Sequence, residues 1–156
     1  MGLLLLALVG TSWQYQRATR ATVPDVAAHA SLSTRIEPRE ALQMRVGTLG
    51  FPQRVEGFKP LGGSAFEVGG RDAAAVVFGR GEQRLTYSIV SGGEHVNYYD
   101  RAGLYAPTES YVDGRELQWY GDEMVVVKRN EQTIVITGTP ASDGLRRVMR
   151  QVALSS

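Results

Sequence analysis

Apolar and polar residues alternate over short runs between residues 51 and 137, and glycines separate the runs. This pattern is typical of strands in an antiparallel sheet with one buried face. The clearest run is RLTYSI, residues 84–89, in which Leu85, Tyr87 and Ile89 would share one face. The pattern predicts about six strands. They cover residues 58–68, 73–78, 84–90, 116–120, 124–129 and 133–137.

Glycine pairs mark two special positions in this region. Gly69-Gly70 fits a two-residue hairpin of the primed type, because both central residues of that turn need a positive φ. A phosphate-binding loop would need a longer glycine pattern that opens onto a helix, whereas RDAAAVVF follows this pair. Gly62-Gly63 indicates either a β-bulge or a close backbone approach. Further turns are expected at Gly121-Asp122 and Asn130-Glu131.

Helical patterns flank the strand region. At the C-terminus, Thr139 is the expected cap and Pro140 the expected first helical residue. The apolar residues expected to pack on the sheet are Leu145, Val148, Met149 and Val152, and those on the opposite, solvated face are Arg146, Arg147 and Arg150. One or two short N-terminal helices are expected, at 23–33 and at 37–47, with Pro38 opening the second and Gly47 ending it. The predicted fold is therefore α+β, a mostly antiparallel sheet closed by an amphipathic C-terminal helix.

The first residues, MGLLLLALVG, are apolar over a stretch shorter than the roughly 20 residues that cross a bilayer. Three interpretations stay open: a signal peptide, the distal end of a transmembrane helix with Trp13 and Tyr15 at the headgroups, or an ordinary buried segment. Arg17 and Arg20 disfavour an outward-facing C-terminal part, because positive charge usually stays on the cytoplasmic side. The expected organisation is a membrane or signal-like segment at 1–13, a tether at 14–24 and one domain at 25–156.

Composition narrows the function. The 17 basic and 16 acidic residues leave a net charge of +1, so nucleic acid is not an expected partner. Cysteine is absent, and the two histidines, His29 and His95, lack metal-ligand spacing, so neither a metal nor another cofactor is expected. No serine nucleophile motif occurs, and an acid–base pair of His95 with Glu94 or Asp100 is the remaining catalytic candidate.

A long connection, residues 91–114, separates the third and fourth predicted strands. Aromatic residues concentrate in and beside it. Tyr and Trp combine apolar area with a polar tip, which suits a contact surface for protein or glycan, but they also suit residues folded back on the sheet. The candidate partner surface comprises Tyr98, Tyr99, Tyr105, Tyr111, Trp119 and Tyr120.

Residues 49–90 resemble the extracytoplasmic part of transmembrane anti-sigma factors of the bacterial zinc-finger-like family. The resemblance depends on short elements shared with that family. They are Gly57-Phe58 with Leu61-Gly62-Gly63, Gly70-Arg71 with Ala74-Ala75, Val77-Phe78, and Arg84-Leu85 through Val90. The tail TIVITGTPASDGLRRVMRQV, residues 133–152, is similar to the closing strand and helix of the family.

The chain also departs from the family. The sigma-binding half of the family carries a histidine and cysteine zinc motif, which this chain lacks, and a tryptophan common before the last strand is replaced near Val127 and Lys128. The resemblance implies a non-catalytic sensory or regulatory domain, outside the cytoplasmic membrane and joined to it by the N-terminal segment. It would act on a protein partner, without binding a sigma factor directly. The alternatives are an exported glycan- or lipid-binding module that uses residues 98–120, and a small hydrolase centred on His95.

Overall fold

The computed structural model describes residues 26–27, 30, 35–92 and 107–155. The element order is α1 (Pro38–Ala41), β1 (Arg45–Val46), β2 (Leu49–Gly50), β3 (Lys59–Val68), β4 (Arg71–Arg80), β5 (Gln83–Val90), β6 (Thr108–Val112), β7 (Arg115–Tyr120), β8 (Met124–Arg129), β9 (Gln132–Thr139) and α2 (Asp143–Ser155). The predicted segments 1–13 and 14–24 and most of the predicted helix at 23–33 lie outside the described residues. Among the residues that are described, no helix is long and apolar enough to cross a membrane.

The main sheet has seven strands in the order β3-β4-β5-β9-β8-β7-β6, and every neighbouring pair is antiparallel. The α+β class, the antiparallel sheet and the packed C-terminal helix were predicted and are confirmed. The number of strands was wrong: the main sheet has a seventh strand, β6, and β1 and β2 form a separate two-stranded sheet.

The turns follow the chemistry expected of them. Gly69 and Gly70 have φ of 56° and 72° and join Val68 to Arg71, which confirms the primed hairpin. Asn130 and Glu131, with φ of 47° and 62°, make the same kind of two-residue connection between β8 and β9. Such turns fix the strand register, and the register decides which side chains face the core.

Both interpretations of Gly62-Gly63 apply, one to each residue. The register of β3 against β4 shifts between Pro60 and Gly62, where Gly62 has a φ of 143°, and this is a bulge. At Gly63 the backbone exchanges two hydrogen bonds with Ile36, of 2.9 and 3.0 Å. The segment before α1 is thereby fixed to the outer edge of β3.

One face of the sheet, here called the helix face, holds the larger core. Its central residues come from β4, β5, β9 and β8 in register: Val76, Tyr87, Ile136 and Val125. α1, β1, β2 and the loop to Phe58 cover the β3–β5 half, and α2 covers the half near β8 and β9. The predicted apolar face of α2 is confirmed, since its four predicted residues are buried in this core. Gly138 permits the close approach of α2, because a Cβ there would lie 2.6 Å from Met149 Sδ.

The opposite face of the sheet has a second, smaller core around Val90, Val126 and Val135, to which the buried Val26 belongs. Because both faces of the sheet are buried at its centre, strands β8 and β9 carry apolar residues on both sides. Ile134, Val135 and Ile136 are all fully buried. This explains why the strand pattern is continuous rather than alternating in VVV and TIVI.

Two element boundaries differ from the predictions. The helix expected at 37–47 is only Pro38–Ala41, and Gly47, with φ of 56°, lies in the β1–β2 turn instead of ending a helix. At the C-terminus, Pro140 follows a cis peptide bond and lies outside α2, which begins at Asp143. Ser142, not Thr139, is the cap: its Oγ accepts a hydrogen bond of 3.1 Å from the backbone N–H of Leu145.

Candidate functional site

The arginine-bearing side of α2 lies beside strand β6 and forms an open cleft of about 300 Å³ with it. The residues that line this cleft are Thr108, Ser110, Trp119, Asp143, Arg146, Arg147 and Arg150. We call it the arginine cleft.

Strand pairing explains how β6 contributes to the cleft. Thr108 pairs with Trp119 and Ser110 with Leu117, so their side chains lie on the helix face next to α2. Ser110 Oγ is buried and has no hydrogen-bond partner within the described part of the chain. The cleft therefore has a floor of two hydroxyl groups beside an indole ring.

Arg146 is held in place from two sides. Its guanidinium lies 4.7 Å from the centre of the Trp119 ring, and its Nη1 donates to Asp122 Oδ1 at 2.5 Å. The two side chains of this ion pair are 44% and 64% exposed, so it contributes less than about 1 kcal/mol to stability. Its main effect is to orient the arginine over the tryptophan.

Arg147 and Arg150 are exposed and, within residues 35–92 and 107–155, form no ion pair. Arg147 lies one position and Arg150 four positions after Arg146, so Arg146 and Arg150 occupy the same side of the helix. Asp143, in the first turn of α2, is the carboxylate that lines the cleft with them. With Arg146 paired to Asp122, the cleft presents one carboxylate and two cations that have no ion pair among the described residues.

The structure separates the aromatic residues that the sequence analysis grouped into one surface. Trp119 and Tyr120 are only 4% and 8% exposed, and as neighbours in β7 they lie in different cores on opposite faces of the sheet. Tyr111, in β6, is 70% exposed. Of the three that are described, Tyr111 alone is available for contact with a partner; Tyr98, Tyr99 and Tyr105 lie outside the described residues.

The catalytic and metal candidates also fall outside the described part, since His29, Glu94, His95 and Asp100 are not included in it. Among the residues that are described, no group of three or more histidine or acidic side chains is arranged to hold a metal ion.

From the sequence, Arg146, Arg147 and Arg150 were predicted only as a solvated helix face. They are exposed as predicted, but the cleft could not be found because β6 was assigned to the long connection at 91–114. The available signal was the Asp113-Gly114 turn before Arg115, whose φ values of 52° and 74° make a two-residue hairpin.

Comparisons of the chain with protein-family models, with curated proteins and with solved structures found no significant match.

Proposed function

We propose that this chain is a non-catalytic regulatory domain of an anti-sigma-factor-like membrane protein, placed outside the cytoplasmic membrane and acting through contacts with a protein partner. The observation that carries the proposal is the arginine cleft, in which Arg146 is fixed over Trp119 beside two exposed arginines and a strand at the edge of the described sheet. Oriented arginines next to aromatic residues are typical of protein contact surfaces.

The resemblance to the extracytoplasmic part of anti-sigma factors supplies the biological setting. The residues that carry it occupy consecutive elements, from Gly57-Phe58 before β3 through the β3–β4 turn to β5, and then β9 and α2. These elements form the scaffold that the chain would share with the family. A function that depends on this scaffold would need neither a metal ligand nor a nucleophile among its residues.

Regulation by such a domain requires a difference in affinity. A partner that binds one conformation of the domain more tightly than another shifts the population toward it, whereas a partner with equal affinity for both transmits nothing. The domain is expected to bind no sigma factor by itself, because the cysteine and histidine motif of the sigma-binding half is absent.

The proposal is tested in the bacterium that carries the gene. Codons 35–155 are deleted in place and all transcripts are measured; we expect one coherent set, sharing a promoter type, to change, and the full chain to restore it. A full chain with His95→Ala is the matched control and should restore the transcripts equally, which would exclude the hydrolase. Unchanged transcripts after the deletion would contradict the proposal.

The location is tested separately. Protease added outside intact spheroplasts should cleave the domain, while a cytoplasmic marker protein stays intact. Protection of the domain under these conditions would contradict an extracytoplasmic position.

A further inference from the structure

We propose that the arginine cleft and the outer edge of β6 together bind an extended acidic segment of a partner protein, which adds to the sheet as an eighth strand. The inference deepens the proposed function, because it specifies the chemistry of the partner, and it rests on that function for its biological role.

The outer edge of β6 has backbone groups available for strand pairing. Within the described residues, no strand pairs with the outer edge of β6. The two-residue turn makes Val112 and Arg115 a hydrogen-bonded pair, so alternation directs the N–H and C=O groups of Glu109 and Tyr111 away from β7. Both residues are exposed. An exposed row of such groups is a template for strand addition.

The opposite edge of the sheet is covered in part. At β3, Gly63 already exchanges both of its outward hydrogen bonds with Ile36, whereas the outward groups of Ala65 and Glu67 remain exposed. Within the described residues, the two edges therefore differ chiefly in the arginine cleft, which lies beside β6.

Charge selects the occupant. Every second side chain of an added strand would lie on the helix face, next to Thr108 and Ser110 and toward α2. The cations in the cleft that have no ion pair in the described part are Arg147 and Arg150. A segment with acidic residues at alternate positions satisfies both the backbone and the arginines.

A second copy of this chain fits less well. Pairing of two β6 strands about a two-fold axis perpendicular to the sheet keeps both α2 helices on the same face, which brings two identical arginine clusters together. Like charges brought together in this way disfavour association.

The experiment uses the full chain and a fluorescently labelled octapeptide of alternating threonine and glutamate. Binding is followed by fluorescence anisotropy, and the sites of contact by the ¹⁵N chemical shifts of the chain. We expect saturable binding that shifts the amide signals of Glu109 and Tyr111. Absence of binding, or binding that leaves these two signals unchanged, would overturn the proposal.

Charge is tested with the double variant Arg147→Glu, Arg150→Glu, which should weaken binding at least about tenfold. Arg54→Glu, at an exposed position in the loop before β3, is the matched control and should change affinity less than about twofold. The wild-type chain is also tested with a peptide that has glutamine in place of glutamate. It should bind this peptide about as weakly as the double variant binds the glutamate peptide. Equal affinity of the two peptides for the wild-type chain would overturn the role of charge.

Strand addition is tested with Glu109→Pro, which removes an outward N–H while leaving the pairing with β7 intact. Loss of the negative charge alone would strengthen binding of an acidic peptide, so a decrease of about tenfold or more is attributable to the backbone. The wild-type chain should lose affinity to the same extent for an octapeptide that is N-methylated at alternate amides. This measurement uses no variant chain, so it does not depend on a variant folding correctly. Undiminished binding in both arms would overturn strand addition.

Vesicles of phosphatidylglycerol distinguish a membrane surface from a peptide. Binding to vesicles that depends on Arg147 and Arg150, without binding of the octapeptide, would assign the arginines to lipid and overturn the proposal. Such a result would contradict peptide binding but would not affect the transcript changes expected after deletion of codons 35–155. The binding experiments therefore test this inference, and the transcript measurement tests the proposed function.

Discussion

At the scale of single residues, Gly63 is a position where the backbone of the neighbouring strand leaves no room for a side chain. A Cβ there would lie 2.6 Å from the carbonyl oxygen of Ala75 and 2.7 Å from Ala41 Cβ. One of these contacts is with the backbone of the neighbouring strand, which cannot move aside as a flexible side chain can. Gly63 is thus required by packing rather than by its backbone angle.

Gly63→Ala is therefore expected to destabilise the protein by roughly 1–3 kcal/mol, the usual cost of overpacking a core. The measurement is the free energy of unfolding from urea titration followed by circular dichroism. Gly50→Ala is the matched control, because no atom of the described residues lies within 4 Å of its Cβ position, and it should leave stability within about 0.5 kcal/mol. Equal stability of the two variants would contradict the close approach.

The residue-level predictions succeeded where local chemistry decides the conformation. A glycine pair or an Asn-Glu pair between two apolar runs indicates a turn without reference to the rest of the chain. The burial of Trp119 and Tyr120 could not be predicted in this way, because it depends on which strands flank β7 and on the helix that covers one face. Composition marks tyrosine and tryptophan as suited to contact surfaces but does not say which of them are exposed.

At the scale of elements, the start of α2 depends on the hydroxyl of Ser142. The first N–H groups of a helix lack partners inside it, and Ser142 Oγ accepts one of them from Leu145. Since α2 supplies Leu145 and Met149 to the core, fraying of this end would loosen the cover of β9.

Ser142→Ala should accordingly lower the free energy of unfolding by about 1 kcal/mol, whereas Ser142→Asp, which retains an acceptor, should lower it much less. Thermal unfolding followed by far-ultraviolet circular dichroism provides the comparison. A third variant, Thr139→Ala, distinguishes the two candidate caps. If it cost as much as Ser142→Ala, the cap assignment would be wrong.

Elements with a strong apolar signal were predicted, and those without it were missed. Strand β8 was predicted with its observed bounds because MVVV is continuously apolar. Strand β6, TESYV, begins with three polar residues and has apolar residues only at its end. β1 and β2 have two residues each, too few to produce a period. The cleft was missed with β6, since one of its walls is that strand.

At the scale of the whole molecule, the sheet consists of two meanders, β3-β4-β5 and β6-β7-β8-β9, joined by the pairing of β5 with β9. Seven residue pairs form this junction, from Arg84 with Thr139 to Val90 with Thr133. The core of the helix face continues across it, from Phe78 on one side to Trp119 on the other. We expect the two meanders to unfold together.

Phe78→Ala tests this cooperativity, because Phe78 is fully buried in the first meander and its truncation should cost about 3–5 kcal/mol. In a Trp13→Phe background, Trp119 is the sole tryptophan and reports on the second meander. The fluorescence and circular dichroism midpoints should fall by the same amount. The control is Tyr111→Ala, at an exposed aromatic residue, which should shift neither midpoint by much. If the Trp119 fluorescence midpoint were unchanged in Phe78→Ala, the meanders would unfold separately.

The central position of β9 also has a consequence for synthesis on the ribosome. The first meander emerges early, but the strand that covers the inner edge of β5 is complete only at Thr139, after β6, β7 and β8 have been made. Throughout that interval the nascent polypeptide carries a strand, QRLTYSIV, that is paired with β4 on one edge and open on the other, and such an open edge can be captured by other chains. Speed of elongation through the codons for β6 to β9, or a chaperone that shields this strand, would then determine how much of the product reaches its native form.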